Sequence, residues 1–241
     1  MKRILCGFAP VLAFVSLLMP VCTAGDSADV QQKEGYTVSL DLKFSKKNQN
    51  SLQRAISFLD MGPNAYATGF VVGDGLVMTA YHVVSGNLSV PKKVVLGFSA
   101  NDELEVRASV NGCKATLLKA DEDADLALLR VCRSSKQHRA PAFQTTPSED
   151  EKLLLIARPH GDKMVRRGSF IGPYMFRGQE YWSAKIDGRD GYSGSPVYND
   201  KAELVGVFSG YDWSKKLAVI SPGAKAQKLL EDYNSKPQPQ P

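Results

Sequence analysis

A serine hydroxyl is a weak nucleophile. It does useful chemistry only beside a base that removes its proton and donors that stabilise the oxyanion its attack creates. Ser193 lies in the run Gly191-Tyr192-Ser193-Gly194-Ser195-Pro196. Glycines at 191 and 194 allow a sharp turn, so the N–H groups of Gly191 and Ser193 can converge on one point beside the hydroxyl. The same run also fits a Gly/Ser-rich hairpin turn without chemistry, so its meaning depends on residues elsewhere.

The chain holds three histidines, which shortens the search for a base. His138 lies in a polar stretch, and His160 follows a proline in Arg158-Pro159-His160-Gly161; both read as surface-loop residues. His82 ends the apolar run Val77-Met78-Thr79-Ala80-Tyr81, where a rigid strand would hold an imidazole at a cleft edge. A satisfied core histidine is the rival reading. For the group that orients the base, Asp125 precedes the buried-looking run Leu126-Ala127-Leu128-Leu129, whereas Asp121, Glu122 and Asp123 read as a solvated turn. An acid at the mouth of such a strand can be shielded and paired with imidazole, fixing its tautomer. Taken singly, Asp125 also fits a turn or capping residue.

The three motifs occur in the order Thr79-Ala80-Tyr81-His82, Asp125-Leu126-Ala127-Leu128-Leu129, and Gly191-Tyr192-Ser193-Gly194-Ser195-Pro196. In this the chain resembles the trypsin/chymotrypsin-like serine peptidases, and within them the bacterial HtrA-type enzymes. Thr68-Gly69-Phe70-Val71-Val72 is similar to the family's first-barrel strand, and Leu217-Ala218-Val219-Ile220-Ser221-Pro222 to the segment leading into its last helix. The likeness covers roughly Ala67 to Tyr233. It implies two six-stranded antiparallel barrels with His82 and Asp125 from the first and Ser193 from the second. It also implies an oxyanion hole made by Gly191 and Ser193 and an acyl-enzyme mechanism without cofactor or metal.

The chain departs from the pattern at three places. Tyr192 replaces the aspartate that receives a new N-terminus in trypsin-type zymogens, so that switch is not expected. Ser195 replaces the more usual glycine, a change also seen in glutamyl endopeptidases. No PDZ domain is expected after Ile220, because a helix and a tail follow. Asp187 lies six residues before Ser193, where trypsin-like enzymes place the acid at the base of the primary pocket. A buried carboxylate there would favour Arg or Lys substrates; the alternative is an exposed turn acid beside Gly188-Arg189-Asp190.

These residues need a rigid sheet scaffold, and the sequence supplies strand patterns on both sides of a polar connector. From Tyr36 to Phe44, apolar residues alternate with polar ones, the period of a half-buried strand. Further β-rich runs are Thr68–Val72, Leu76–Thr79, Lys93–Phe98, Leu104–Val110, Thr116–Lys119 and Leu126–Val131. After a polar stretch at 133–151 they resume at Lys152–Ile156, Gly168–Ile171, Tyr181–Ile186, Ser195–Tyr198, Glu203–Ser209 and Leu217–Ile220. Short strands between turn signals point to an all-β sandwich or barrel architecture. The expected division is a first barrel at about 35–133, a second at about 150–222, a C-terminal helix at 223–233 started by Ser221-Pro222, and a flexible tail at 235–241. Helical spacing of Leu52, Ala55, Ile56 and Leu59 suggests a short helix or turn at Ser51–Asp60.

Lys2 and Arg3 precede an apolar run from Ile4 to Val21, and small residues follow at Thr23-Ala24-Gly25. That is the plan of a signal peptide cleaved after Ala24, giving export to a periplasmic or extracellular compartment and no lasting membrane insertion. The rivals are an uncleaved anchor, which Gly7, Pro10 and Pro20 would interrupt, and a lipoprotein signal at Cys22, which Val21 disfavours. Loss of Lys2 and Arg3 lowers the formal charge from +5 to +3 for the mature chain. So mild a charge, without a basic stripe, argues against nucleic acid and leaves protein or peptide substrates as the expected partners. The mature chain keeps Cys113 and Cys132, which flank a predicted hairpin near Glu122–Asp123. They are expected to pair in an oxidising compartment, with two buried thiols as the alternative. A protease-like binding or chaperone module, or a processing peptidase with few substrates, stays open beside a general endopeptidase.

Overall fold

The computed structural model describes residues 33–48, 64–132 and 140–235. The signal peptide with Cys6 and Cys22, the helix expected at Ser51–Asp60, His138, and the tail beyond Ser235 lie outside the described residues.

Twelve strands form two closed barrels. The first contains β1 (Thr37–Lys46), β2 (Ala65–Gly73), β3 (Leu76–Ala80), β4 (Leu104–Val110), β5 (Cys113–Asp121) and β6 (Leu126–Arg130), in spatial order β1-β2-β3-β6-β5-β4. The second contains β7 (Lys152–Ala157), β8 (Met164–Phe176), β9 (Gln179–Ala184), β10 (Pro196–Tyr198), β11 (Leu204–Asp212) and β12 (Leu217–Pro222), in order β7-β8-β9-β12-β11-β10. The second order repeats the first strand for strand, and all pairings within both barrels are antiparallel. Closure leaves neither sheet with an unpaired edge. The all-β, two-barrel architecture expected from the sequence is thus the one observed.

Alternation explains the barrel interiors. In β1, Leu40, Leu42 and Phe44 point inward and are buried with Ala67, Val77 and Leu129. The second barrel buries Leu153, Leu155, Trp182, Val197 and Ile220. A third cluster joins the barrels: Phe70, Met78 and Leu128 from the first pack with Ile156, Leu204 and Val207 from the second. Helix α3 (Gly223–Asn234) sits on this junction through Ala226, Leu229, Leu230 and Tyr233. This shared buried cluster ties the two barrels together.

Two local expectations need correction. The run Lys93–Phe98, read as a strand, is not one: Lys93–Val95 lie in a short helix, α2 (Val90–Val95), and Leu96–Phe98 follow it in turn and loop. Pro91 sits in the first turn of α2, where its missing N–H costs nothing, whereas in a strand it would break the ladder. Ser221 does not cap α3: it lies in β12, and Pro222 occupies the N-cap position with no side-chain cap bond.

Cys113 and Cys132 are joined by a disulfide with Cα atoms 5.8 Å apart. It closes the β5–β6 hairpin at the end away from Asp125.

Candidate active site

Sheet register brings His82 and Asp125 together. Strands β3 and β6 pair with Ala80 opposite Leu126. His82 lies two residues beyond that rung, in the single-turn helix α1 (Tyr81–Val84), and Asp125 lies one residue before it. The peptide N–H of Tyr81 donates to the Asp125 carbonyl at 3.0 Å, locking the two ends together. Asp125 adopts φ 53°, a left-handed conformation that aspartate tolerates better than most side chains.

The Asp125 carboxylate, 14% exposed, accepts three hydrogen bonds. The His82 peptide N–H donates to Oδ1 at 2.8 Å, His82 Nδ1 donates to Oδ2 at 2.8 Å, and Ser209 Oγ donates to Oδ2 at 2.8 Å. An acceptor-only carboxylate facing Nδ1 puts that ring proton on Nδ1 and leaves Nε2 free to accept. Tyr181 borders the same acid. Burial, with the Asp125 charge next, pushes its phenol up to about 12, so it stays protonated at neutral pH.

Ser193 meets this pair from the second barrel: its Oγ lies 2.9 Å from His82 Nε2, so the hydroxyl can donate to the free imidazole nitrogen. Its turn is pinned on both sides. The Gly194 N–H donates to the Phe208 carbonyl at 2.8 Å, and the Thr68 N–H donates to the Ser193 carbonyl at 3.0 Å. Gly191 and Gly194 adopt φ 85° and 84°. Gly194 has a second reason to be glycine: a Cβ there would fall 2.1 Å from both the Thr68 carbonyl and Thr79 Oγ1. Among the described residues, no protein acceptor takes the N–H of Gly191 or of Ser193.

The remaining expected residues are placed as follows. Asp187 is exposed, not buried at the base of a pocket, which matches the turn-acid alternative. His160 is exposed, packs at a tilt against Tyr66 with ring centroids 3.8 Å apart, and makes no bond to Ser193. Tyr192 is 1% exposed and packs edge-on against Phe208 in the second-barrel core. Ser195 is fully buried, and its backbone bonds Phe208 and Tyr192. Among the described residues, no cluster of three or more His, Cys, Asp or Glu side chains could hold a metal ion.

Two residues of the site escaped the sequence reading. Ser209 completes the shell around Asp125, and Thr68 ties the Ser193 turn to the first barrel. The Thr68 hydroxyl accepts from the Arg158 N–H at 3.0 Å and donates to the Gly191 carbonyl at 2.8 Å. Both act across more than 80 positions of sequence, and nothing local to either marks it.

Comparison with known proteins agrees with this architecture. Glutamyl endopeptidase of Staphylococcus epidermidis is 26% identical over an alignment covering 65% of this chain and 59% of its own length. The chain thus spans less than two thirds of the length of those curated relatives. Among solved structures, the Rv3671c protease of M. tuberculosis in its active form superposes with a TM-score of 0.61 at 17% identity, covering 99% of this chain and 97% of that one. An inactive form gives 0.56 at 16% identity, covering 89% and 94%. At such identity these two matches speak for the fold. The family model of the trypsin-like peptidase domain matches residues 67–207, more than half of the sequence and the span holding His82, Asp125 and Ser193. The chain therefore belongs to the trypsin-like peptidase domain family.

Proposed function

We propose that this chain is an exported serine endopeptidase in which Ser193 is the nucleophile, His82 the general base and acid, and Asp125 the group that orients His82. The observation that carries the reading is the unbroken line of contacts from Asp125 through His82 to Ser193, at 2.8 and 2.9 Å.

In the acylation step His82 Nε2 takes the Ser193 proton as Oγ attacks the scissile carbonyl. The N–H groups of Gly191 and Ser193 receive the oxyanion. Asp125 stabilises the imidazolium, which then passes its proton to the leaving amine. Water, deprotonated by the same nitrogen, hydrolyses the acyl-enzyme and restores Ser193. No cofactor is required for either half-reaction.

Export is supported by the leader-like residues 1–24 and by the Cys113–Cys132 disulfide, a bond favoured in oxidising compartments. Protein substrates follow from the family. The test is hydrolysis of unfolded casein by the purified chain and by Ser193→Ala: turnover by the first and none by the second is expected. Equal turnover by both would refute the assignment of Ser193.

A further inference from the structure

The line from Asp125 to Ser193 divides the cleft into two sides. His82 Nε2 must hand its proton to the leaving amine, so the substrate residues after the cut bond run alongside the imidazole. A cavity of about 440 Å³ opens on this side, touching His82, Gly191 and Ser193 together. Its other walls come mainly from the first barrel and α2, among them Tyr66, Val83, Val95 and Leu96, with His160 and Asp190 on the second-barrel side. Strand β11 and residues 186–189, on the second-barrel side of Ser193, contribute nothing to it. A side chain resting there therefore belongs to the leaving half of the substrate.

The cavity's lining is mainly apolar, and its volume falls within the range of sites that enclose a ligand group. Helix α2 extends the apolar surface outward, with Val94 60% and Val95 85% exposed. Isolated exposed valines carry little meaning, but these two stand on a helix that walls a cavity beside Ser193. Charge is confined to the rim, where Lys92 of α2 reaches across to Asp190 at 3.7 Å. An apolar floor under a charged rim accepts a hydrophobic side chain and penalises a buried charge.

We propose that this cavity is a specificity site for a bulky apolar side chain in one of the two substrate residues that follow the scissile bond. The inference rests on the peptidase reading and deepens it: selection acts on the leaving half, through α2, and uses a surface built mainly by the first barrel.

The experiment digests a denatured, proteome-derived peptide library with the purified chain and with Val95→Glu, mapping cut sites by mass spectrometry. Fluorophosphonate labelling of the wild-type chain is run beside it. Because fluoride leaves from that probe, labelling does not require the leaving-side cavity. Leu, Ile, Val, Phe or Met should exceed Ala by about tenfold at one of the two positions after the bond, as hydrophobic pockets discriminate. Val95→Glu should reduce that preference by at least about threefold. Labelling with a flat profile, or a preference unchanged in Val95→Glu, overturns the cavity assignment alone. Failure to label overturns the peptidase reading and the cavity assignment with it.

Discussion

Thr68 grips the Ser193 turn from the opposite barrel: its hydroxyl donates to the Gly191 carbonyl at 2.8 Å and its N–H donates to the Ser193 carbonyl at 3.0 Å. The two tethers fix the peptide planes that follow Gly191 and Ser193, which restricts the backbone rotations that set where the Gly191 and Ser193 N–H groups point. Thr68→Val keeps the volume and the backbone bond but loses the hydroxyl. It should lower kcat about fivefold, in line with loss of one hydrogen bond of about 1 kcal/mol to the Gly191 carbonyl, with KM little changed. Thr68→Ser should restore most of the rate. A loss in Thr68→Val that appears only in KM, or that Thr68→Ser fails to rescue, would remove this positioning role.

Gly194 and Gly178 have nearly the same φ, 84° and 81°, but opposite surroundings. A Cβ at Gly194 meets the Thr68 carbonyl and Thr79 Oγ1 at 2.1 Å, while one at Gly178 meets nothing within 4 Å. Gly178→Ala should therefore cost only the backbone strain, about 1 kcal/mol, and leave turnover intact. Gly194→Ala adds a backbone clash and should cost at least about 3 kcal/mol or prevent folding. Urea unfolding of the two variants separates them; equal midpoints would contradict the packing at Gly194.

The Cys113–Cys132 bond closes a loop with a sequence separation of 19. A constraint of that length is worth about 3 kcal/mol through the unfolded chain. Replacing both cysteines by serine should lower the unfolding free energy by that order without moving the cleft, because the bond lies at the far end of the hairpin. An unchanged unfolding free energy would refute the estimate.

At the tip of β11, the Asp212 carboxylate is held well below the usual carboxylate range. Ser214 Oγ is the largest cause, followed by the Tyr174 hydroxyl and the Lys215 backbone N–H. A depressed folded value stabilises the protein above the unfolded pKa of about 4, and that stabilisation is lost as pH falls through the folded value. Asp212→Asn should accordingly unfold more easily than the wild type at neutral pH, with the gap closing in strong acid. A gap that widens toward acid would reverse the assigned sign.

The strands were readable where burial imposed a pattern: Tyr36–Phe44 alternates because one face of β1 lines a barrel, and Leu126–Leu129 is continuously apolar because that part of β6 is covered on both sides. The α2 segment misled because Val94, Val95 and Leu96 carry strand-like side chains, while Pro91 set the backbone. His82, Asp125 and Ser193 were visible through their motifs and order. For Asp187 both readings stayed open, because spacing alone cannot tell an exposed loop from a pocket base. Thr68 and Ser209 work only through contacts that the closed barrels create.

The most direct measurement is reaction of the purified chain with a fluorophosphonate, followed by peptide mapping of the modified residue. Modification should fall on Ser193 alone, and Ser193→Ala should abolish it together with turnover lowered by on the order of 10⁶. Asp125→Asn should slow labelling without eliminating it. Absence of labelling, or modification of any other residue, would contradict the assignment of Ser193 as the nucleophile.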